Sequence, residues 1–118
     1  MKRITQYIKG KITTEYSASD LTGYALEMLR LKNYRVRRVN NVGAYKKRAN
    51  QVEPGWPDIQ GYDPHGVVVL VEVKKKGDIL SSAQIARLTD CHECGGIAMV
   101  CFQKGNNAEL IEFVNYGK

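Results

Sequence analysis

The apolar positions fall into patterned stretches separated by breaks rich in Gly, Asn and Pro. From about Thr14 to Lys32, the residues Leu21, Tyr24, Ala25, Met28 and Leu29 recur at helical spacing and predict an amphipathic helix. Its start is open. Thr13 or Thr14 can cap it, and Ser17-x-x-Asp20 also reads as a capping box. Asn33 is a stop signal. Tyr34 to Asn40 alternates Val36 and Val39 with arginines and predicts a short strand, followed by a polar, basic loop from Asn41 to Pro54. Pro57 excludes a helix interior, so Asp58-Ile59-Gln60 begins a second strand. Asp63-Pro64-His65-Gly66 has turn chemistry. Val67 to Lys74 is a third strand, and its continuous apolar run to Val71 marks a central strand covered on both faces. The second and third strands form a hairpin.

After Gly77-Asp78, either Ser81 or Ser82 caps a second helix whose apolar positions are Ala83, Ile85, Ala86 and Leu88. Gly95-Gly96 ends it. Ile97 to Phe102 is a fourth strand, Gly105-Asn106-Asn107 a turn, and Glu109 to Val114 a fifth strand at an edge. Residues 1–13 are basic and weakly patterned, an arm or a short helix. The order of elements predicts an α/β fold with a mixed sheet, and a length of 118 residues predicts one domain, residues 1–118.

Composition narrows the class. Hydrophobic residues at 43% and charged residues at 25% exclude general disorder and a fibre. No apolar run approaches the ~18 residues of a membrane span. Met1-Lys2-Arg3 leads into polar Thr5, Gln6 and Lys9, so no export signal is expected. With three cysteines and no export features, the thiols are expected to be reduced and the protein cytoplasmic. Cys91 and Cys94, with Cys101 nearby, form a CxxC pattern, which reads as packing thiols; a zinc or redox module is the rival reading.

The net charge of +6 is unevenly distributed. Residues 1–50 hold twelve Lys/Arg against three Asp/Glu, and residues 51–118 hold six against nine. A basic half beside an acidic half suits a polyanion partner and a site that needs carboxylates. The candidate phosphate contacts are Arg35, Arg37, Arg38, Lys46, Lys47 and Arg48, with Lys75 and Lys76 further on. Asn40 and Asn41 either read nucleotide edges or make the turn, and Trp56 either packs under the site or stacks on a base.

The chemistry concentrates on the hairpin. Asp58 opens one strand, and Glu72 and Lys74 stand near the end of the other, two residues apart and so on one face. Two carboxylates and the Val73 carbonyl make an oxygen-rich site suited to Mg²⁺ or Mn²⁺. Such an ion polarises a phosphate, and Lys74 can orient or deprotonate water or neutralise the transition state, which is phosphodiester hydrolysis. A plain surface hairpin, its edge protected by Lys74-Lys75-Lys76, is the bland alternative.

Gly55-x-Pro57-Asp58-Ile59 followed by Glu72-Val73-Lys74 resembles the PD-(D/E)XK nuclease superfamily. Leu80-Ser81-Ser82-Ala83-Gln84, with Gly95-Gly96 before a strand, is similar to its VRR-NUC branch. The resemblance implies a restriction-endonuclease-like core, a mixed β-sheet flanked by helices. It implies that Asp58, Glu72 and the Val73 carbonyl bind Mg²⁺ or Mn²⁺, that Lys74 is catalytic, and that Gln84 faces the site. Members usually add an acid from the first helix; Glu15 is chosen over Asp20 and Glu27 because a helix from Thr14 turns it toward the sheet. The implied activity is that of a DNA endonuclease, a homodimer acting on branched DNA such as Holliday junctions. The alternative is a non-catalytic or partner-activated nucleic-acid-binding protein that keeps the fold.

Overall fold

A computed structural model describes residues 3–8, 11–39 and 55–118. Two strands, β1 (Arg3–Ile8) and β2 (Lys11–Tyr16), pair antiparallel as a hairpin. Helix α1 (Ala18–Leu31) follows, then β3 (Arg35–Arg38), β4 (Ile59–Tyr62), β5 (Val68–Lys74), helix α2 (Ser82–Glu93), β6 (Ile97–Lys104) and β7 (Asn107–Glu112). A 3-10 turn at Phe113–Asn115 follows β7. The main sheet has the order β3-β4-β5-β6-β7, so β5 is its central strand. Every neighbouring pair is antiparallel except β5 and β6, which run parallel and are joined through α2. This is an α/β fold with a mixed five-stranded sheet and two helices, consistent with a restriction-endonuclease-like core. No helix among the described residues is long and apolar enough to cross a membrane.

Local chemistry places both helices. Ser17 caps α1: its Oγ accepts the Asp20 N–H at 3.0 Å, and Asp20 Oδ2 accepts the Ser17 N–H at 3.1 Å. Ser81 does the same for α2 with Gln84. These reciprocal bonds satisfy donors that a helix start otherwise leaves open. At the other end of α1, Asn33 has φ 65, and the Tyr34 N–H returns to the Leu29 carbonyl at 3.0 Å. An asparagine tolerates this left-handed conformation, which is why the helix stops where it does.

The alternation along β5 divides the core into two layers. Val69 and Val71 join Leu21, Ala25 and Leu29 of α1, together with Ile59, Val36, Cys101 and Tyr16. Leu70 points the other way and joins Leu88 of α2 with Ala98 and Val100 of β6. A strand covered by a helix on each face needs apolar residues at successive positions, which explains the unbroken run at its start. Gly61 is fitted to the crossing of β3 and β4. A Cβ there would run into the Arg35 carbonyl and stand 2.7 Å from the Val36 Cα.

Two expectations are corrected. Residues 3–8 and 11–13 lie in two paired strands, not in an arm or short helix, and β2 runs through Tyr16, so α1 begins at Ala18 and not near Thr14. The cause is tertiary. The Tyr16 ring is buried, its N–H donates to Gln103 Oε1 at 2.9 Å, and its hydroxyl donates to the Asn106 carbonyl at 3.2 Å. The Thr14 N–H donates to Asn106 Oδ1, and Gln103 Nε2 donates to the carbonyls of Thr14 and Gly105. These partners hold residues 14–16 extended against the β6–β7 turn. The fifth strand of the main sheet also begins earlier than its apolar pattern suggests and gives way to the 3-10 turn after Glu112. There Phe113 and Tyr116 fold back under the α2 layer, with Tyr116 edge-on to Phe102 at 5.1 Å between ring centroids.

Candidate active site

The register of β4 on β5 pairs Ile59 with Val71 and Gln60 with Leu70. Continued by one residue, it sets Asp58 opposite Glu72, and by two, Pro57 opposite Val73. The backbone is held there from the other side, because the Asp58 carbonyl accepts the Val39 N–H at 2.6 Å. Opposed residues of an antiparallel pair share a face, so Asp58, Glu72 and Lys74 all lie on the face that Leu70 presents to α2. Asp58 is exposed, Lys74 is half-buried, and Glu72 is only 5% exposed. Pro57, fully buried, has no N–H to donate to the strand across from it.

The start of α2 reaches the same spot. Gln84 is the third residue of the helix, and its amide is fixed by the capping box, with Oε1 accepting the Ser81 N–H at 2.9 Å. That orientation aims Nε2 at Glu72 Oε1, 3.0 Å away. The helix start is in turn pressed against the segment before Asp58: a Cβ on Gly55 would collide with the Ala83 carbonyl, and Gly55 has φ +88. Glycine alone adopts this geometry without strain, so Gly55 sets how closely Asp58 approaches α2.

Burial is the main influence on Glu72 and pushes its carboxyl up to about 7; the Lys74 ammonium works against this, and the Asp58 charge adds to it. A buried carboxylate facing a second carboxylate is a site short of positive charge. Among the described residues no third His, Cys, Asp or Glu joins the pair. Two carboxylates with a backbone carbonyl nearby fit a hard divalent cation that keeps several waters, the habit of Mg²⁺ and Mn²⁺, better than a closed zinc site.

This arrangement makes a pH-dependent stability measurable in the metal-free chain. In the unfolded chain Glu72 titrates near 4.5, and in the folded chain near 7. Between those values only the folded state keeps the proton, so stability falls as pH rises through the window and levels off above about 7. The expected loss is on the order of 2–3 kcal/mol. Urea unfolding in EDTA from pH 5 to 8 measures it, and Glu72→Gln should flatten the curve. Parallel curves for the two proteins would contradict the assignment.

The remaining sequence candidates are distributed unevenly. Arg35 and Arg37 pair with Tyr62 and Gln60 on the face that carries Asp58, while Arg38 pairs with Ile59 on the face toward α1; all three are exposed. Lys75 and Lys76 are exposed in the turn that follows β5. Asn40, Lys46, Lys47 and Arg48 lie outside the described residues. Glu15 is a correction: it sits on β2, not on a helix, and is exposed, so the helical argument that turned it toward the sheet no longer applies. Asp20 is buried in the first turn of α1 as the capping carboxylate, and Glu27 is exposed further along that helix. Helix α1 covers the face opposite to Glu72.

The three cysteines are free thiols. Cys101 is buried, its Sγ donates to the Leu21 carbonyl at 3.3 Å, and burial pushes its thiol up to about 12. Cys91 is half-buried, and its thiol is raised by burial and then by Cys94. One residue near the site was missed by sequence reasoning. Arg87 lies over the Trp56 ring, 4.7 Å from its centroid. Its position three residues after Gln84, on the same helix face, is the signal that points to it.

The mixed five-stranded sheet with α1 on one face and α2 on the other is consistent with a restriction-endonuclease-like core. A family model described as the VRR-NUC domain matches residues 20–104, and the chain belongs to that family. The match runs from the first turn of α1 to the end of β6 and includes Asp58, Glu72, Lys74 and Gln84. No curated protein matches the chain.

Proposed function

We propose that residues 1–118 form one domain that acts as a cytoplasmic endonuclease, hydrolysing DNA phosphodiester bonds with Mg²⁺ or Mn²⁺. The observation that carries this reading is the buried Glu72 carboxylate, opposite Asp58, beside Lys74 and held by Gln84. Asp58, Glu72 and the Val73 carbonyl would hold the cation, which supplies polarisation of the phosphate and acidification of water when bound. Gln84 fixes the rotamer of Glu72, and the capping box fixes Gln84. Lys74 projects beside Glu72 and places an ammonium against the charge that grows on the phosphoryl oxygens as water attacks phosphorus and the P–O bond to the leaving sugar oxygen breaks. Arg35, Arg37, Lys75 and Lys76 contact backbone phosphates with salt-dependent, sequence-independent affinity.

The preferred substrate in this reading is branched DNA, cut by a homodimer. A two-fold pair of sites matches two symmetric strands. The test is cleavage of a labelled four-way junction, a linear duplex, a flap and a single strand, each with Mg²⁺, Mn²⁺ or EDTA. Paired symmetric cuts in the junction alone, absent with EDTA, are expected. Cleavage of flaps or single strands instead would discard the junction preference and keep the chemistry. Binding without cleavage under every condition would overturn the enzyme reading in favour of a binding or partner-activated protein.

A further inference from the structure

The seam between α2 and β5 does not end at Gln84 and Glu72. Along β5 the preceding position on that face is Leu70, two residues or about 7 Å away. Along α2 the next residue on that side is Arg87, three residues or about 5 Å on. Here the seam opens into a groove of about 430 Å³, lined by Trp56, Val68, Leu70, Arg87 and Asp90 with the Gly95-Gly96 backbone. Trp56 is the chain's only tryptophan. It is 44% exposed, although the next residue, Pro57, is fully buried, and Asp58 is two residues on. Val68 is also exposed, at 54%.

We propose that this groove is a subsite for one unpaired nucleobase of the DNA, next to the scissile phosphate; the proposal rests on the nuclease reading above. The indole of Trp56 and the guanidinium of Arg87, already in contact, are the two kinds of surface on which unstacked bases lie. Val68 and Leu70 supply apolar wall for a base face, and the exposed Asp90 carboxylate at the rim accepts N–H bonds from an exocyclic amino group. The groove wall at Leu70 lies about 7 Å along β5 from Glu72, so the base it holds belongs to a nucleotide close to the scissile phosphate. A base inside an intact duplex cannot present its face to the groove. The subsite therefore favours binding at branch points and at other unpaired or weakly stacked positions, where displacing a base costs least, while the paired cut still needs the symmetric strands of a junction. It provides selectivity for DNA structure without any contact that reads sequence.

The full chain in EDTA allows a direct test, because Trp56 is the only indole. Single-stranded oligonucleotides carrying a dye are titrated in, with binding read from dye anisotropy and stacking from tryptophan emission. The comparison strand has abasic sites through its central stretch. Base-bearing DNA should quench the emission, and abasic DNA, at equal occupancy, should leave most of it. Trp56→Ala should weaken single-strand and flap binding about tenfold or more, while duplex binding changes less than twofold. Trp56→Phe, which keeps a stacking ring, should restore most of the loss. Equal quenching by abasic DNA, or equal losses on duplex and single strand, would overturn the subsite and leave the nuclease reading intact. Emission that changes with protein concentration alone would assign the groove to a second copy of the chain instead. Absence of both binding and cleavage for every DNA would overturn the two readings together.

Discussion

Lys74→Ala is expected to slow DNA cleavage by about 10²–10⁴-fold with little change in DNA affinity or stability. The side chain is half-buried at the last position of β5, so its loss leaves no cavity in either core layer. Arg35, Arg37, Lys75 and Lys76 remain exposed to hold the phosphates. What disappears is the one ammonium that projects from the strand carrying Glu72, on the same face and two residues away, where its charge already opposes the upward push on that carboxyl. Lys74→Arg should recover only a fraction, because a planar guanidinium cannot take the place of a compact ammonium that can also give up its proton. Single-turnover cleavage with saturating protein isolates the effect from binding. A variant that cuts within a few-fold of the parent would remove Lys74 from the chemistry and leave the carboxylates as the working part of the site.

Leu88→Ala is expected to lower folding stability by about 2–5 kcal/mol. Leu88 is the single buried residue of α2 and is fully buried against Leu70, Ala98 and Val100. A methyl group in its place leaves a void over the sheet, and a chain of ordinary stability, about 5–15 kcal/mol, loses a large share of it. The consequence reaches the site. Leu88 is one helical turn from Gln84, so a loosened α2 carries the amide away from Glu72 Oε1. Cleavage should therefore fall even at temperatures where the variant remains folded. Ile85→Ala, on a 43% exposed side chain of the same helix, should cost less than about 0.5 kcal/mol and leave activity unchanged. Urea unfolding of the three proteins, followed by cleavage assays well below each midpoint, separates the two effects. Equal midpoints for Leu88→Ala and the parent would contradict the role given to this side chain.

Features whose causes lie within a few residues were legible along the chain. Ser17 and Ser81, each one of two caps the sequence offered, bond to partners three positions on, and Asn33 ends α1 with its own backbone. The apolar run at the start of β5 required cover on both faces, and the Asp63 turn closed the hairpin that sets Asp58 against Glu72. The spacing of Asp58, Glu72, Lys74 and Gln84 was legible for the same reason, because alternation along a strand and a turn of helix are local rules. The rest depends on contacts between distant parts of the chain. The sequence leaves the start of α1 open between Thr14 and Ser17, and Gln103 and Asn106, 87–92 residues away, hold residues 14–16 extended, which takes Glu15 out of the helix. The Glu72–Gln84 bond depends on α2 crossing back over the central strand, and the Trp56–Arg87 contact joins residues that no local rule brings together. Local hydrogen bonding and periodicity act along the chain, whereas burial, the raised Glu72 carboxyl and the groove beside it exist only once the layers are packed.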